Sequence, residues 1–196
     1  MDAALTAVAR HGATVGMDDI AAAAGTSKTV VYRYFADRGE LHRAVCTRVA
    51  GQLSERLRAA MSAGPAGTAP RSRVAAAIET YLAFLDADPE LYRFVVSSPS
   101  PDRDGADPVT TLSDLVGAET AALLAEALTS AGRPDVAAAP WGHGVVGLVR
   151  SAADWWLRAD RPLPRAELAG HLTELAWAGL AGVLPDPANA HPLEDS

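Results

Sequence analysis

Residues 21–35 read AAAAGTSKTVVYRYF, an alanine-rich run that stops at a glycine and resumes with charged and phenolic side chains among valines. A helix that ends at this glycine, a short turn and a second helix capped by Thr26 or Ser27 would form a helix-turn-helix. If the two valines pack inward, polar side chains remain on the first turn and outer face of the second helix. Such groups suit the phosphates and base edges of a DNA major groove. From geometry alone, an ordinary helical hairpin with a solvated face remains the alternative.

The apolar periodicity on both sides of this stretch is helical, and no segment alternates as a strand would. Gly12 has the position of a helix C-cap. Asp37 followed by Glu40 has the spacing of a capping box and predicts a long helix to about Met61. Prolines at the first helical position predict the starts of four later helices: Pro89, Pro108, Pro140 and Pro164. The sequence therefore predicts an all-α chain of about nine helices.

The charge of the chain is distributed unevenly. The 196 residues carry a net charge of −7, but residues 26–58 hold seven basic and three acidic side chains. From residue 59 onward there are nine basic and eighteen acidic residues. A basic N-terminal segment joined to an acidic body is the asymmetry expected when one end meets an anionic partner. A solvated helix face could give the same count.

Several classes of protein lack support in the sequence. No GxSxG, HExxH or phosphate-loop motif is present, and the five histidines are scattered without metal spacing, so we predict no catalytic residue, no metal site and no cofactor. The apolar runs are too short for a membrane helix, and the N-terminus lacks the pattern of a signal peptide. The single cysteine, Cys46, fits a reducing compartment. We therefore expect a cytoplasmic protein with no membrane partner.

Beyond these general features, the first 50 residues resemble a known family. The stretch DAALTAVARHG-x4-MDDIAAAAGTSKTVVYRYFADRGEL is similar to the N-terminal domain of the TetR family of bacterial one-component transcriptional regulators. The residues that carry this resemblance are Gly12, Ile20, Ala21, Ala24, Gly25, Ser27, Tyr32, Tyr34, Phe35, Arg38 and Leu41. The later helices are similar in layout to the family's ligand-binding and dimerisation domain.

The resemblance implies an N-terminal three-helix helix-turn-helix domain over residues 1–47, a ligand-binding and dimerisation domain over residues 48–187 and a flexible tail over residues 188–196. It also implies a set of DNA-binding residues: Ser27, Lys28, Thr29, Tyr32, Arg33, Tyr34 and Arg38. Lys28 is the one lysine beside sixteen arginines, which is consistent with a point contact to phosphate.

Two positions depart from the family's pattern. Thr29 stands where many members have glycine or proline, so the approach of the backbone to DNA can differ. Gly16 stands where a threonine or serine commonly contacts phosphate, and we do not transfer that contact.

The last two helices are expected to pair with their copies in a second subunit. Gly144 and Gly147 lie inside a helix, where each glycine costs roughly 0.5–1 kcal/mol relative to alanine, so close approach of another helix is expected there. The predicted dimer interface contains apolar residues of these two helices: Trp155, Trp156, Leu172, Leu175 and Leu180. Burial of either tryptophan within one chain is an equally good interpretation.

An effector pocket is the part of the resemblance with the weakest sequence signal. Its candidate lining residues are Tyr81, Phe84, Leu85, Phe94, His143 and Arg150. Such apolar residues are more often ordinary core than pocket lining, and for Arg150 an i,i+4 ion pair with Asp154 is favoured over a ligand contact.

Together these features predict a ligand-responsive regulator, a repressor, that binds a palindromic double-stranded DNA operator as a homodimer. Its effector would be a mainly apolar small molecule. The alternative is a helical small-molecule-binding protein without DNA binding, which would not need the chemistry of residues 27–38.

Overall fold

The computed structural model describes residues 1–63, 69–96 and 108–181, and within these ranges the chain is helical without a strand. The all-α prediction is confirmed. The nine α-helices of the described ranges are α1 (Asp2–His11), α2 (Met17–Ala23), α3 (Lys28–Tyr32), α4 (Arg38–Ser62), α5 (Pro70–Ala87), α6 (Pro89–Val96), α7 (Pro108–Ser130), α8 (Ala138–Arg158) and α9 (Arg165–Ala181). The predicted tail, residues 188–196, lies outside the described residues.

The backbone contacts divide the chain into two compact units. The first unit comprises Met1–Ser62 and Thr80–Leu112, and the second comprises Ala63–Glu79 and Ser113–Ser196. This is a division by packing. The functional boundary at residue 47 that the sequence suggests stays a prediction.

In the first unit, α1, α2, α3, α4 and α6 all contribute to a hydrophobic core. Alanines and a valine of α1 meet Ile20 of α2, Val31 of α3 and the apolar side of α4. The fully enclosed members of this core are Val8, Val15, Leu41, Val45 and Cys46. Helix α6 adds Leu91, Phe94 and Val95 to the same core, although it lies far along the chain from α1.

A glycine turn ends α2 and begins the approach to α3. Gly25 has φ +62°, in the left-handed region that glycine adopts without steric cost. The N–H of Thr26 donates to the carbonyl of Ala21 at 2.9 Å, and the N–H of Gly25 donates to the carbonyl of Ala22 at 3.2 Å. This pair of bonds is the Schellman arrangement, which satisfies the last carbonyls of α2 and fixes the direction of the turn.

The predicted capping box at the start of α4 is confirmed with one difference. The backbone N–H of Glu40 donates to Asp37 Oδ1 at 2.7 Å, as the motif requires. The Glu40 carboxylate accepts from the N–H of Ala36 at 2.6 Å, one residue before the position expected for the motif. The two bonds tie the chain between α3 and α4 to the first turn of α4.

Helix α6 packs closely on the junction that follows α1. Gly12 has φ +55°, and a Cβ added there would lie 2.3 Å from Glu90 Oε2. On the other side of α6, His42 Nε2 lies 3.0 Å from the carbonyl oxygen of Phe94, and the two rings are 4.8 Å apart. Helix α6 is therefore held to both α1 and α4 within the first unit.

In the second unit, α7 and α8 approach each other at a glycine. A Cβ on Gly142 would lie 2.6 Å from the backbone nitrogen of Ala121 and 2.7 Å from the carbonyl oxygen of Gly117. Further along α8, Trp156 Nε1 donates to the carbonyl of Leu163 at 2.8 Å and so fixes the turn toward α9. The start of α8 was predicted at Pro140, but the helix begins at Ala138. Proline is tolerated two residues into a helix because the first N–H groups have no intrahelical acceptor.

Among the described residues, no helix combines the length and apolarity needed to cross a bilayer.

Candidate nucleic-acid interface

The apolar side of the short helix α3 packs on the core of the first unit. Val31 is buried, and Phe35, just beyond the helix, packs against the same core. The carbonyl of Ser27 accepts from the N–H groups of Val30 and Val31 at 3.0 and 3.2 Å, so Ser27, one of the two candidates, is the N-cap residue, and Thr26 is not. The opposite side of α3 faces outward.

The outward side carries the side chains that the sequence singled out. All seven predicted DNA-binding residues are exposed: Ser27, Lys28, Thr29, Tyr32, Arg33, Tyr34 and Arg38. Tyr34 is 74% exposed and Tyr32 is 46% exposed. An exposed phenol combines an apolar ring with a hydroxyl that can donate to a phosphate oxygen. We call this set of seven residues the α3 surface.

Lys28, the first residue of α3, is held by a carboxylate. Its Nζ lies 2.7 Å from Asp18 Oδ2, in the first turn of α2. The side chains remain 49% and 73% exposed, respectively, so the pair lies at the surface. The hydrogen bond and the negative charge of Asp18 raise the pKa of Lys28 above its ordinary value. Lys28 is therefore a full ammonium at neutral pH, and it already has an anionic partner.

Arg33 differs from Lys28 in this respect. Within the described part of the chain, no hydrogen bond or ion pair engages its guanidinium. It is exposed at the C-terminal end of α3 and carries five N–H donors in a planar fork. A fork of this kind matches phosphate oxygens or the edge of a guanine.

The residues predicted to line an effector pocket lie in both units. In the first unit, Leu85 and Phe94 are buried in the core, and Phe84 lies under the guanidinium of Arg56 at 5.3 Å. Tyr81 is half-buried. In the second unit, Arg150 donates to Ser113 Oγ at 3.1 Å.

His143 in the second unit lies against Gly117, where an added Cβ would be 2.2 Å from its Nδ1. The contacts of these six residues do not by themselves define a ligand site.

A surface cavity of about 500 Å³ opens along the outer side of α4 in the first unit. None of the predicted effector residues lines it. Its walls are formed by Met1, Ala44, Thr47, Arg48, Gly51, Gln52 and Glu55.

The predicted dimer residues separate into exposed and buried members. Trp155 and Leu175 are 48% and 60% exposed, which is unusual for such large apolar side chains. Trp156 and Leu172 instead fill the interior of the second unit, because their positions on α8 and α9 face the neighbouring helices. They are removed from the candidate interface. The side chain of Leu180 lies outside the described part of the structure.

The two glycines expected at a close helix approach have open space beside them in one chain. A Cβ on Gly144 or Gly147 would meet no atom of the described residues within 4 Å, whereas Gly142 makes the close approach to α7. Residues 144, 147, 151 and 155 recur at helical spacing, and all four are exposed. The exposed side of α8 therefore carries small side chains at residues 144, 147 and 151, followed by Trp155.

In the described ranges, His, Cys, Asp and Glu residues form no group of three that could hold a metal ion.

Two contacts of the first unit had no signal in the sequence. Asp18 and Lys28 are ten positions apart across a turn, so no helical spacing relates them. His42 and Phe94 are 52 positions apart. A lone histidine at that position of α4 gives no indication of a partner so distant in sequence.

Residues 1–45 match the family model "Bacterial regulatory proteins, tetR family", and residues 56–191 match "Tetracyclin repressor-like, C-terminal domain". An uncharacterised HTH-type transcriptional regulator of Mycobacterium tuberculosis is 32% identical over 185 residues, which are 94% of this chain and 76% of that protein. The HTH-type transcriptional activator FasR of Mycolicibacterium smegmatis is 29% identical over 170 residues, 86% of this chain and 74% of that protein.

Among solved structures, the transcriptional regulator FadR of Bacillus subtilis, in complex with stearoyl-CoA, superposes with a TM-score of 0.70. The match covers 91% of this chain and 96% of FadR at 17% sequence identity, a likeness of fold.

Proposed function

The chain belongs to the TetR family of bacterial regulatory proteins, and we propose that it binds a palindromic DNA operator as a homodimer and releases it in response to a small molecule. It is a DNA-binding transcriptional regulator and not an enzyme. The observation that carries the proposal is the α3 surface, a cluster of exposed cationic, hydroxyl and phenolic groups fixed to a buried core.

The chemistry of the α3 surface suits a phosphate backbone with base edges beside it. Arg33 is exposed with an unengaged guanidinium, and Tyr34 projects from the end of α3. Ser27 and Thr29 add hydroxyl groups near the helix start, where a recognition helix meets the major groove. The net charge of −7 disfavours non-specific DNA binding by the whole molecule, so binding would depend on this local surface.

Dimerisation is supported by the exposed sides of α8 and α9. Trp155 and Leu175 expose apolar area that a second copy would cover. Gly144 and Gly147 leave room for a helix to approach the α8 backbone closely. An interface that pairs the same surface of two copies has a two-fold axis, and the two α3 surfaces would then face half-sites in inverted repeat.

The effector that we propose is mainly apolar. The supporting residues are the aromatic side chains of α5 and α6, including Tyr81 and Phe84, which are half-buried. FadR of Bacillus subtilis holds stearoyl-CoA in a similar fold, so a long-chain acyl-CoA is a reasonable first probe. We propose repression as the direction of control. FasR, a relative, is named an activator, and a reporter assay with and without this chain distinguishes the two.

The alternative, a helical small-molecule-binding protein without DNA binding, does not account for the exposed cationic and phenolic side chains of the α3 surface. Such a protein needs no exposed arginine and tyrosines at the end of a five-residue helix.

The test is a fluorescence anisotropy titration. A labelled duplex is taken from an inverted repeat in the DNA flanking the gene and is compared with a scrambled duplex of equal length. The wild-type dimer should bind the repeat more tightly, with an affinity that falls steeply as salt rises because phosphate contacts release counterions.

Arg33→Ala should weaken binding on the order of tenfold. Lys28→Ala should weaken binding to both duplexes less than Arg33→Ala does, because Lys28 Nζ is already paired with Asp18 Oδ2. The matched control is Arg71→Ala, which removes an exposed arginine from α5 in the second unit. Equal affinities for Arg33→Ala, Lys28→Ala and Arg71→Ala would remove the α3 surface as the contact.

A further inference from the structure

The pairing of Lys28 with Asp18 has consequences for DNA binding. Lys28 Nζ and Asp18 Oδ2 are 2.7 Å apart, a full hydrogen-bonded ion pair. Lys28 is the first residue of α3, and Asp18 lies in the first turn of α2. The pair thus bridges the two helices of the helix-turn-helix at the end that would face a phosphate.

A phosphate oxygen and the Asp18 carboxylate would compete for the same ammonium. If Lys28 turns to a phosphate, its bond to Asp18 is lost. If Lys28 keeps that bond, the phosphate must come within a few ångströms of a carboxylate, and like charges at that distance repel. Either way, DNA binding is weaker than it would be with a neutral residue at position 18.

The surroundings explain why Asp18 and not its neighbour takes this role. Asp19 Oδ2 accepts from the N–H of Gly16 at 2.8 Å and so caps the start of α2. Within the part of the chain that the structure describes, Asp18 makes no such bond to the backbone, and its side chain is 73% exposed. Its carboxylate is also placed favourably at the positive end of α2. Lys28 is its one cationic partner among the contacts of the described residues.

We propose that Asp18 is an affinity-setting residue that holds Lys28 away from DNA phosphate. The proposal rests on the proposed function, since it concerns the strength of the same DNA contact. Arg33 is not restrained in this way, so the α3 surface contains one restrained and one unrestrained cation. The restrained one would contribute to binding only after losing an intramolecular partner.

The expected effect is moderate because exposed charges interact weakly in water. Asp18→Asn should tighten binding about threefold to tenfold at low salt. The gain should shrink as salt approaches about 0.3 M, where the screening length is only a few ångströms. It should be similar for the inverted-repeat duplex and for a duplex of unrelated sequence, because phosphate contacts carry no sequence information.

The experiment is a double-mutant cycle measured by anisotropy on both duplexes. The four proteins are wild type, Asp18→Asn, Lys28→Gln and the double variant. Asp135→Asn is the matched control, because it makes the same charge change at an exposed aspartate of the second unit. Thermal unfolding of each variant verifies folding, and Asp18→Ser provides a second neutral side chain that is compatible with a first helical turn.

The outcomes separate this inference from the proposed function. Tighter binding by Asp18→Asn that disappears in the Lys28→Gln background supports the role of Asp18. Unchanged affinity for Asp18→Asn and Asp18→Ser overturns it while leaving DNA binding intact. An equal gain with and without Lys28 also overturns it, because Asp18 would then act on phosphate directly. If the wild-type protein binds neither duplex, the proposed function itself fails.

Discussion

The hydrogen bond between His42 and Phe94 provides a quantitative test of how α6 is held to α4. The carbonyl oxygen of Phe94 can only accept, so His42 Nε2 carries the proton and donates across 3.0 Å. The other ring nitrogen, Nδ1, then faces the Cys46 thiol at 3.6 Å and can accept from it. The histidine ring also packs on the Phe94 ring at 4.8 Å. His42 is buried, so these contacts are largely shielded from water.

Two substitutions of His42 by side chains of similar size distinguish the contribution of the hydrogen bond to stability from that of apolar burial. His42→Leu loses the bond to the carbonyl, which is worth about 1–2 kcal/mol in a buried site, and also loses the ring contact. His42→Gln loses the ring contact but keeps an amide donor that can reach the same carbonyl. We expect unfolding free energies lower than wild type by about 2 kcal/mol for leucine and about 1 kcal/mol for glutamine.

The assay is urea denaturation followed by circular dichroism, combined with amide hydrogen exchange. For a chain of this length, 2 kcal/mol corresponds to a fall in melting temperature of roughly 4–8 °C. In the leucine variant, exchange should accelerate in residues 89–96 and not in α7, because α6 is the element released. Hydrophobic burial alone predicts the opposite order, with leucine more stable than glutamine. Observing that order would refute the role assigned to the hydrogen bond.

Three further predictions concern other parts of the molecule. Gly12→Ala should lower the unfolding free energy by about 1–2 kcal/mol because the φ of residue 12 is +55°, whereas Gly51→Ala, at an open position inside α4, should raise it by about 0.5–1 kcal/mol. Equal shifts of the two variants in urea denaturation would contradict this argument from backbone conformation. In sedimentation, Leu175→Glu should be a folded monomer because Leu175 is exposed in a single chain, whereas the control Ala122→Glu on α7 should remain a dimer. A dimeric Leu175→Glu variant would show that the interface lies elsewhere. A long-chain acyl-CoA should release DNA over the same concentration range in which it changes tryptophan emission, which reports on the second unit because all four tryptophans lie there. If the emission change saturates while the affinity for DNA stays constant, the proposed coupling is wrong.

Local sequence patterns predicted the helices because their signals lie within a few residues of each other. The Asp37–Glu40 spacing and the glycine at position 25 each specify a backbone geometry whose hydrogen bonds close locally. The exposure of the α3 surface was predicted for the same reason, because Val30 and Val31, set between polar residues, identify the inward side of the helix. Family resemblance added the roles of those side chains, which geometry alone leaves open.

Contacts between distant segments could not be predicted in this way. The burial of Trp156 but not Trp155 depends on where α9 and the Leu163 turn lie relative to α8, and adjacent residues of one helix point in different directions. Gly142 meets α7 while Gly144 and Gly147 do not, although all three look alike in sequence. The Asp18–Lys28 pair likewise depends on the angle between α2 and α3.

The helix that we propose to contact DNA is too short to hold its own shape. A helix of five residues is far below the length at which isolated helices persist in water. The orientation of the α3 surface is therefore set by Val31 and Phe35, which anchor it in a core that α6 completes. A change in the packing of α6 would alter the support of α3 without changing any residue of the α3 surface. In the ligand control that we propose, an effector needs only to bind better to the chain with the altered α6 packing, and its effect on DNA affinity cannot exceed that difference. His42 is then the residue whose substitution should change the response to ligand as well as stability.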